Sequence, residues 1–372
     1  MQGIQDLIEI SQFYGKDKEY VIAGGGNTSF KNDEFLWIKA SGIALSDIDE
    51  NGFVRMSREK LKVISEKEYS SNSDEREAQV KTDLAAAIDS QDGLRPSVET
   101  SMHDVINFPF VIHTHPTVVN ALTCSNNSKE LSFKILGEDI LFIEYTDPGY
   151  VLFKKVADAI NDFESAKGYV PRVILLENHG IFVSGNTIEE VKELYHLIEE
   201  KILGYMQAML PDDTLNTFVL SNSQLFSNIY KEEGKAVKSF TGNLIELFVK
   251  DDPAFAEIAT AFTPDHIVYC KSKYLFLDDI NEKAIAKQIS DFEKNFGFKP
   301  RIIGLKGKGL IIVADSEKSA GIIIELIMNM MKISWLASKL EGSKPMTKEQ
   351  IAFIENWEVE NYRKKMAEKG NK

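Results

Sequence analysis

The chain has 372 residues, of which 43% are hydrophobic and 27% charged, and its formal net charge is −14. A chain of this length can bury a sizeable core and is predicted to form two domains, and the composition is that of a globular protein. The acidic balance argues against nucleic acid as a partner, because a polyanion would be repelled.

The sequence predicts neither a secreted nor a membrane protein. The two cysteines, Cys124 and Cys270, lie far apart and outside any CxxC pattern, so the cytoplasm is the expected location. The N-terminus lacks the basic stretch and apolar core of a secretory signal. The most apolar late segment, residues 321–337, includes Glu325 and Lys332 and is predicted to be an amphipathic core helix.

The first part of the chain predicts a helix, short strands and a polar loop. The glycines at 24–26 are expected to form the turn between the first two strands. The predicted elements are a helix at 3–14, strands at 20–23, 35–39 and 52–56, a helix capped by Ser57, and a solvated loop at 65–77.

Two short motifs in this region have the residues to bind an anion. Residues 24–27, Gly-Gly-Gly-Asn, lack the spacing of a dinucleotide fingerprint. They are either a plain turn or a ring of backbone N–H groups that a phosphate can approach closely, with Asn27 and Thr28 as further donors. Ser41 and Gly42 are likewise either a turn or a hydroxyl and an open amide facing the same anion.

The clearest candidate for chemistry is the run 110–116, in which three apolar residues lead into His113 and His115. Alternate side chains of a strand share a face, so both imidazoles can point into one site. Pro116 ends the strand and suits the first turn of a following helix. Two imidazoles on one face are a metal-binding pair, and the alternative is a pair of hydrogen-bonded polar residues at a strand end.

The segments around this run predict further helices and strands. Glu99 lies near the start of a predicted helix at 97–107, where a carboxylate is often only dipole-stabilised. After the histidines, the predicted elements are a strand at 140–145, a turn at 147–149, a helix at 151–166, paired strands at 172–176 and 181–183, a helix from Thr187 to Met209, and a linker at 211–223.

The second part of the chain contains an internal echo of the first. Residues 171–187 recur in altered form at 300–316, an offset of 129 positions (300 − 171). Thr187 and Ser316 are equivalent helix caps, whereas His179 falls opposite Lys308. A repeated unit that has lost its imidazole predicts a supporting domain without a metal of its own, and the alternative is chance similarity between two apolar hairpins.

Five short runs, GGGNTS, KASG, PSVET, HTHP and LLENHG, occur in this order. Together they resemble the class II aldolase/adducin family over about residues 4–205. The SVET variant and the long C-terminal half are most similar to the aldolase portion of two-part rhamnulose-1-phosphate aldolase/dehydrogenase proteins. The resemblance implies a three-layer α/β/α catalytic domain at 1–210 with a mixed, largely antiparallel sheet, and a homo-oligomer, with a tetramer favoured. The linker and the internal echo predict a smaller α/β accessory domain at 222–372.

The resemblance also implies roles for individual residues. His113, His115 and His179 would bind zinc or another divalent transition metal, and Glu99 would be the acid/base. The segment that begins at Tyr145 resembles a family loop that carries a tyrosine proton donor. A substrate phosphate would be held by Asn27, Ser41, Gly42 and Ser97. Val98 stands where many phosphate-binding members have a second serine, which removes one hydroxyl from this anion site.

These residue types suit retro-aldol chemistry. Three neutral imidazoles leave an open position on a metal ion, which polarises the oxygens of a ketose and stabilises an enediolate, while a neighbouring carboxylate moves the proton. The predicted function is a zinc-dependent aldehyde-lyase that acts on a small-molecule ketose or sugar phosphate. The alternatives are a same-fold epimerase or dehydratase and a non-catalytic, adducin-like binding module.

Overall fold

The computed structural model describes residues 2–90, 93–220, 223–230, 235–278 and 281–357. These residues form two compact units, the first made of 2–123 and 127–205 and the second of 124–126 and 206–357. Parts of the predicted accessory domain lie outside the described residues, namely 222, 231–234, 279–280 and 358–372.

A seven-stranded sheet forms the centre of the first unit. Its strands are β1 (Asn27–Lys31), β2 (Phe35–Lys39), β3 (Phe53–Ser57), β4 (Phe110–Thr114), β5 (Leu141–Ile143), β6 (Val173–Leu176) and β7 (Gly180–Gly185). Their order in the sheet is β3-β2-β1-β4-β7-β6-β5. All neighbours are antiparallel except β5 and β6, which are parallel, so the predicted mixed and largely antiparallel sheet is confirmed.

Helices cover both faces of this sheet. They are α1 (Gln2–Gly15), α2 (Arg58–Glu66), α3 (Ser73–Ala86), α4 (Thr100–Val105), α5 (Thr117–Thr123), α6 (Ser128–Leu136), α7 (Tyr150–Lys167) and α8 (Ile188–Met206). Val111 of β4 packs in a core with side chains of α2, α3, α4 and α7. Thr114 of the same strand is hydrogen-bonded at 2.8 Å to Tyr195 of α8, whose ring contacts Tyr14 of α1. Because strand side chains alternate between faces, these contacts define the predicted three layers.

Two predictions for this unit are wrong. The first strand begins at Asn27, after the glycines rather than before them, and the following turn is made by Asn32, whose side chain accepts hydrogen bonds from two nearby backbone N–H groups. The stretch 65–77 is not a loop throughout, because the Asn72 side chain accepts a hydrogen bond from Glu75 N and caps α3.

The second unit is also an α/β structure. Its strands are β8 (Asn216–Thr217), β9 (Ala236–Thr241), β10 (Leu275–Leu277), β11 (Ile302–Leu305) and β12 (Gly309–Ala314). They are ordered β10-β11-β12-β9-β8, with only the β10–β11 pair parallel among the described strands. Its helices are α9 (Ser223–Ile229), α10 (Asn243–Phe248), α11 (Asp252–Ala256), α12 (Pro264–Cys270), α13 (Glu282–Phe296), α14 (Glu317–Ala337) and α15 (Lys348–Asn356).

Helix α14 is the core helix of the second unit, as predicted. Among the described residues it is the one helix long and apolar enough to cross a membrane by length and composition, and 83% of its most apolar window is buried in the structure. Its buried polar side chains have partners: Lys332 forms an ion pair with Asp213, and Asn329 Oδ1 lies 3.1 Å from His266 Nε2.

The predicted internal repeat is present in the structure. The bounds of β6, β7 and the start of α8 recur in β11, β12 and α14, each displaced by 129 positions, and the strand register is displaced equally. Helices α7 and α13 both end at a left-handed glycine, Gly168 and Gly297. The second sheet therefore repeats, in order, the five strands β1, β4, β7, β6 and β5.

Candidate active site

His113 lies at the centre of the first sheet, near the end of β4. It is paired with Asn27 on β1 and with Phe182 on β7, and the Phe182 ring stacks on the imidazole with the centroids 4.3 Å apart. The Nδ1 atom lies 2.9 Å from the Ile181 carbonyl oxygen and donates to it. This hydrogen bond fixes the tautomer and puts the ring's lone pair on Nε2, the atom that faces the other imidazoles.

His179 reaches the same place from the turn between β6 and β7. The preceding residue, Asn178, has a φ of +53°, a left-handed conformation that asparagine tolerates. The following residue, Gly180, packs tightly on β4, because a Cβ there would lie 2.5 Å from the Thr114 carbonyl oxygen and 2.7 Å from the His115 ring. The glycine therefore allows β7 to approach β4 beside the imidazoles.

The three predicted metal ligands converge. The ring centroids of His113, His115 and His179 are 4.9, 5.1 and 5.2 Å apart, and one ligand nitrogen from each lies within 4.8 Å of the others. The Nε2 atoms of His113 and His115 are 3.1 Å apart. Two ring nitrogens this close repel unless a proton or a cation lies between them, and three imidazoles are a donor set that transition metals prefer. The cluster can therefore hold a metal ion.

Glu99 joins the histidines from the N-terminal end of α4. Its Oε1 lies 3.3 Å from His113 Nε2 and 3.9 Å from His179 Nε2. The Asn27 amide donates to Oε2 at 3.0 Å. Glu99 occupies the N-cap position of α4, yet its side chain does not cap the helix. The carboxylate is directed to the imidazoles instead.

The surroundings of Glu99 favour its ionised form. Burial, the largest influence, raises the pKa of this carboxyl, but the imidazoles of His113 and His179 and the Asn27 amide together hold the pKa well below its usual value. Burial also lowers the pKa of His103, which lies one turn further along α4 with its Nδ1 2.8 Å from Ser29 Oγ. The site thus pairs an ionised carboxylate with neutral imidazole behind it.

The residues predicted to bind an anion lie around the segment that leads into α4. The Asn27 amide donates a second hydrogen bond to the Ser97 hydroxyl. Ser41 N–H donates to the Arg95 carbonyl oxygen at 2.8 Å, and Gly42 follows with a φ of +88°. Together with the isolated bridge between Ala40 and Pro96, this contact brings the Ser41–Gly42 turn beside the segment that carries Ser97.

Thr28 does not belong to this group. Its side chain is 0% exposed, and its hydroxyl lies 2.7 Å from Ser11 Oγ on α1. Because β1 side chains alternate, Asn27 faces α4 and Thr28 faces the opposite layer. The prediction that Thr28 donates to a bound anion is wrong.

Tyr145 is connected to the site through its backbone. Its N–H donates to Glu177 Oε2 at 2.8 Å, and Ser128 Oγ donates to the other carboxylate oxygen at 3.3 Å. Burial and the Asp147 carboxylate raise the pKa of Tyr145, so the phenol is protonated at neutral pH. Within the part of the chain that the structure describes, no hydrogen bond or ring contact joins the Tyr145 side chain to the histidines.

The sequence interpretation missed two residues that shape the site. Glu177 holds the Tyr145 segment and lies two positions before His179, and its place in the LLENHG run was the available signal. Phe182 stacks on His113, which only the β4–β7 register reveals.

Comparison with known proteins gives three kinds of match. The family model described as Class II Aldolase and Adducin N-terminal domain matches residues 5–203. The uncharacterized oxidoreductase YuxG of Bacillus subtilis is 23% identical over 416 residues, a match that covers 98% of this chain and 59% of YuxG. The L-fuculose phosphate aldolase of Methanococcus vannielii is 24% identical over 192 residues, covering 50% of this chain and 85% of that protein.

Among solved structures, the N-terminal class II aldolase domain of a conserved protein from Thermoplasma acidophilum is similar to this chain. The identity is 24% and the TM-score is 0.47, and the match covers 55% of this chain and 93% of that domain. The chain thus spans nearly all of that single-domain structure, but only 59% of the length of YuxG.

Proposed function

Because the chain belongs to the class II aldolase and adducin family, we propose that it is a zinc-dependent aldehyde-lyase that cleaves a ketose, with a sugar phosphate as substrate. The observation that carries this proposal is the convergence of three imidazoles with a carboxylate 3.3 Å from one of them. A module that only binds a protein partner gains nothing from burying an ionised carboxylate there, since its desolvation is unfavourable.

The three histidines would hold the metal through their ring nitrogens. Once bound, the ion would supply Lewis-acid stabilisation of the negative charge that develops on the substrate oxygens. The all-imidazole donor set supports zinc, and the Nδ1 donation from His113 to Ile181 orients one ligand before binding.

Glu99 is the proposed acid/base. In retro-aldol cleavage its carboxylate takes the proton of the substrate hydroxyl as the carbon–carbon bond breaks and the aldehyde forms. The same carboxyl then returns the proton to the carbon of the remaining fragment. The Asn27 amide keeps one carboxylate oxygen in place during both steps. Tyr145, which stays protonated, is the proposed hydrogen-bond donor to the aldehyde oxygen.

A substrate phosphate would bind where Asn27, Ser41, Gly42 and Ser97 gather beside the start of α4. The support is the hydrogen bond from Asn27 to Ser97, the backbone hydrogen bond from Ser41 to Arg95, and the left-handed φ of Gly42, which a residue with a Cβ rarely adopts. Val98 offers no hydroxyl there, so ketose phosphates and non-phosphorylated ketoses are both to be tested as substrates.

We also propose that the protein is a homotetramer, and light scattering measures its mass in solution.

The experiment is metal analysis of the purified protein followed by product analysis with a panel of ketoses and ketose phosphates. We expect one divalent ion per chain and stoichiometric aldehyde release. Glu99→Gln should keep the metal and lose about 10²–10⁴-fold in turnover, whereas Glu193→Gln, at an exposed position on α8, should match wild type. Epimer formation without free aldehyde would exclude the lyase, and a triad that binds no divalent ion would favour the binding module.

A further inference from the structure

We propose that Lys31 is a positioning residue, whose ammonium group holds the C-terminal end of α4 and thereby sets where Glu99, at the opposite end, meets the histidines. This inference rests on the proposed function, in which Glu99 moves the proton. Lys31, the last residue of β1, is not among the residues that the sequence pattern singles out.

Helix α4 cannot fix its own position. It spans Thr100–Val105, only six residues, and an isolated helix shorter than about 12 residues is marginal in water. It has no side-chain N-cap, because the residue at that position, Glu99, is directed to the imidazoles. The place of the carboxylate therefore depends on what the rest of the unit does to this helix.

Lys31 contacts the helix at its last turn. Its Nζ donates to the His103 and Ile106 carbonyl oxygens, both at 2.5 Å, and its backbone N–H donates to the Pro109 carbonyl oxygen at 2.8 Å. Carbonyls of the last turn have no partner within the helix, and a cation there also interacts favourably with the helix dipole. One side chain thus satisfies the end of α4 and the segment that leaves it.

The burial of this ammonium group is unfavourable in itself. Lys31 is 4% exposed, and burial lowers its pKa to about 7. The nearby carboxylate, Asp104, is engaged with Arg58 at 2.7 Å. A methionine would fill the same volume without burying a charge, so the distinctive contribution of lysine is its pair of hydrogen bonds to α4.

Lys31 is the last of three polar residues that point from β1 to α4. Asn27, Ser29 and Lys31 alternate along the strand and therefore share one face. They contact, in order, the Glu99 carboxylate, the His103 ring and the carbonyls of the last turn. The strand holds the short helix at its start, middle and end, and Lys31 supplies the end.

The test compares Lys31→Met with Gly168→Ala, a control that strains the end of α7 and does not touch α4. Amide hydrogen exchange of residues 100–106, read by mass spectrometry at pH 7, is expected to be about tenfold faster in Lys31→Met and unchanged in the control. In the same variant kcat should fall about 10–100-fold, with KM and metal content as in wild type, because a small misplacement of a catalytic group has effects of this size. Lys31→Arg, which keeps a charged donor, should recover part of kcat.

The proposal would be overturned if Lys31→Met matched the control both in the rate of amide exchange at residues 100–106 and in kcat. Lys31→Gln, which keeps one amide donor, is measured in the same way should the methionine variant not fold, and wild-type values in it would also overturn the proposal. The exchange measurement needs no substrate. Absence of lyase activity would therefore disprove the proposed function, whereas the exchange rates would still show whether Lys31 holds α4.

Discussion

The turn between β6 and β7 and the turn between β11 and β12 are two copies of one backbone design with different chemistry. Each contains a left-handed residue, Asn178 with φ +53° and Gly307 with φ +62°. Each is followed by a glycine packed on the neighbouring strand, where a Cβ would lie 2.5 Å from the Thr114 carbonyl oxygen in the first copy and 2.3 Å from the Phe240 carbonyl oxygen in the second. Between these positions the first copy has His179 and the second has Lys308.

The other two positions of the histidine triad differ in the same way. His113 pairs with Phe182 in the first sheet, and the equivalent pair in the second sheet is Ser239 with Ile311. Two residues further on, Thr241 stands where the first unit has His115. The comparison shows that hairpin, register and glycine packing are requirements of the scaffold, whereas the imidazoles are an addition to it.

The largest expected effect is on metal binding, when the differing residue of each turn is replaced. Loss of the hydrogen-bond partner of a metal ligand typically lowers metal affinity about 10–100-fold. His179→Ala removes a proposed ligand itself and should therefore lower the affinity further, because two imidazoles rarely hold zinc tightly. Lys308→Ala, the same change in the second copy, should bind metal as wild type does. Bound metal is measured by mass spectrometry after dialysis, and stoichiometric metal in His179→Ala would refute the assignment.

The buried ammonium group of Lys31, on the strand next to His113, predicts a pH dependence of stability. The pKa of Lys31 is about 7 in the folded protein and 10.5 is its ordinary value, so the unfolded chain binds more protons between these pH values. The free energy of unfolding of wild type should therefore rise with pH relative to Lys31→Met, by about 2–4 kcal/mol between pH 7 and 10.

Urea denaturation of both proteins at several pH values checks this sign. A difference in free energy that stays constant, or that falls as the pH rises, would show that Lys31 keeps its proton in the folded protein.

Gly180 and Gly309 are the packed glycines of the two turns, so the same substitution can be made in both copies and its effects compared. Gly180→Ala and Gly309→Ala each push a methyl group against a strand carbonyl, so each should destabilise the protein by about 1–3 kcal/mol. Only Gly180→Ala also crowds the imidazoles and should weaken metal binding. Denaturant unfolding and metal titration of the two variants separate the effects, and normal metal affinity in Gly180→Ala would contradict the packing argument.

The smallest expected effect tests whether the equivalent helix ends of the two copies contribute equally to stability. Gly168 and Gly297 end α7 and α13 with φ of +81° and +78°, and a Cβ at either would meet open space. Alanine at each should therefore cost about 1 kcal/mol from backbone strain alone. Equal losses are expected in denaturant unfolding, and clearly unequal ones would show that the two helix ends are held differently.

Much of the candidate site could be predicted because its chemistry lies in short runs. His113, near the end of β4, and His115, just after that strand, are two positions apart, and His179 and Glu99 belong to runs whose combination is specific. The error at Thr28 has a simple cause: once β1 begins at Asn27, alternation sends the next side chain to the α1 face. The first strand was predicted at 20–23, before the glycines, but it begins at Asn27, after them. Glycines indicate a turn without indicating on which side of it the strand lies.

The sequence by itself determined the family, the mixed α/β class, the repeat and the identity of the metal-ligand candidates, because each depends on local pattern. Only the tertiary structure decided that Glu99 faces the imidazoles, that Thr28 does not face the anion residues, and that Lys31 contacts the end of α4. Those facts depend on which strands pair and in what register, and residues 70 or more positions apart meet only through that pairing.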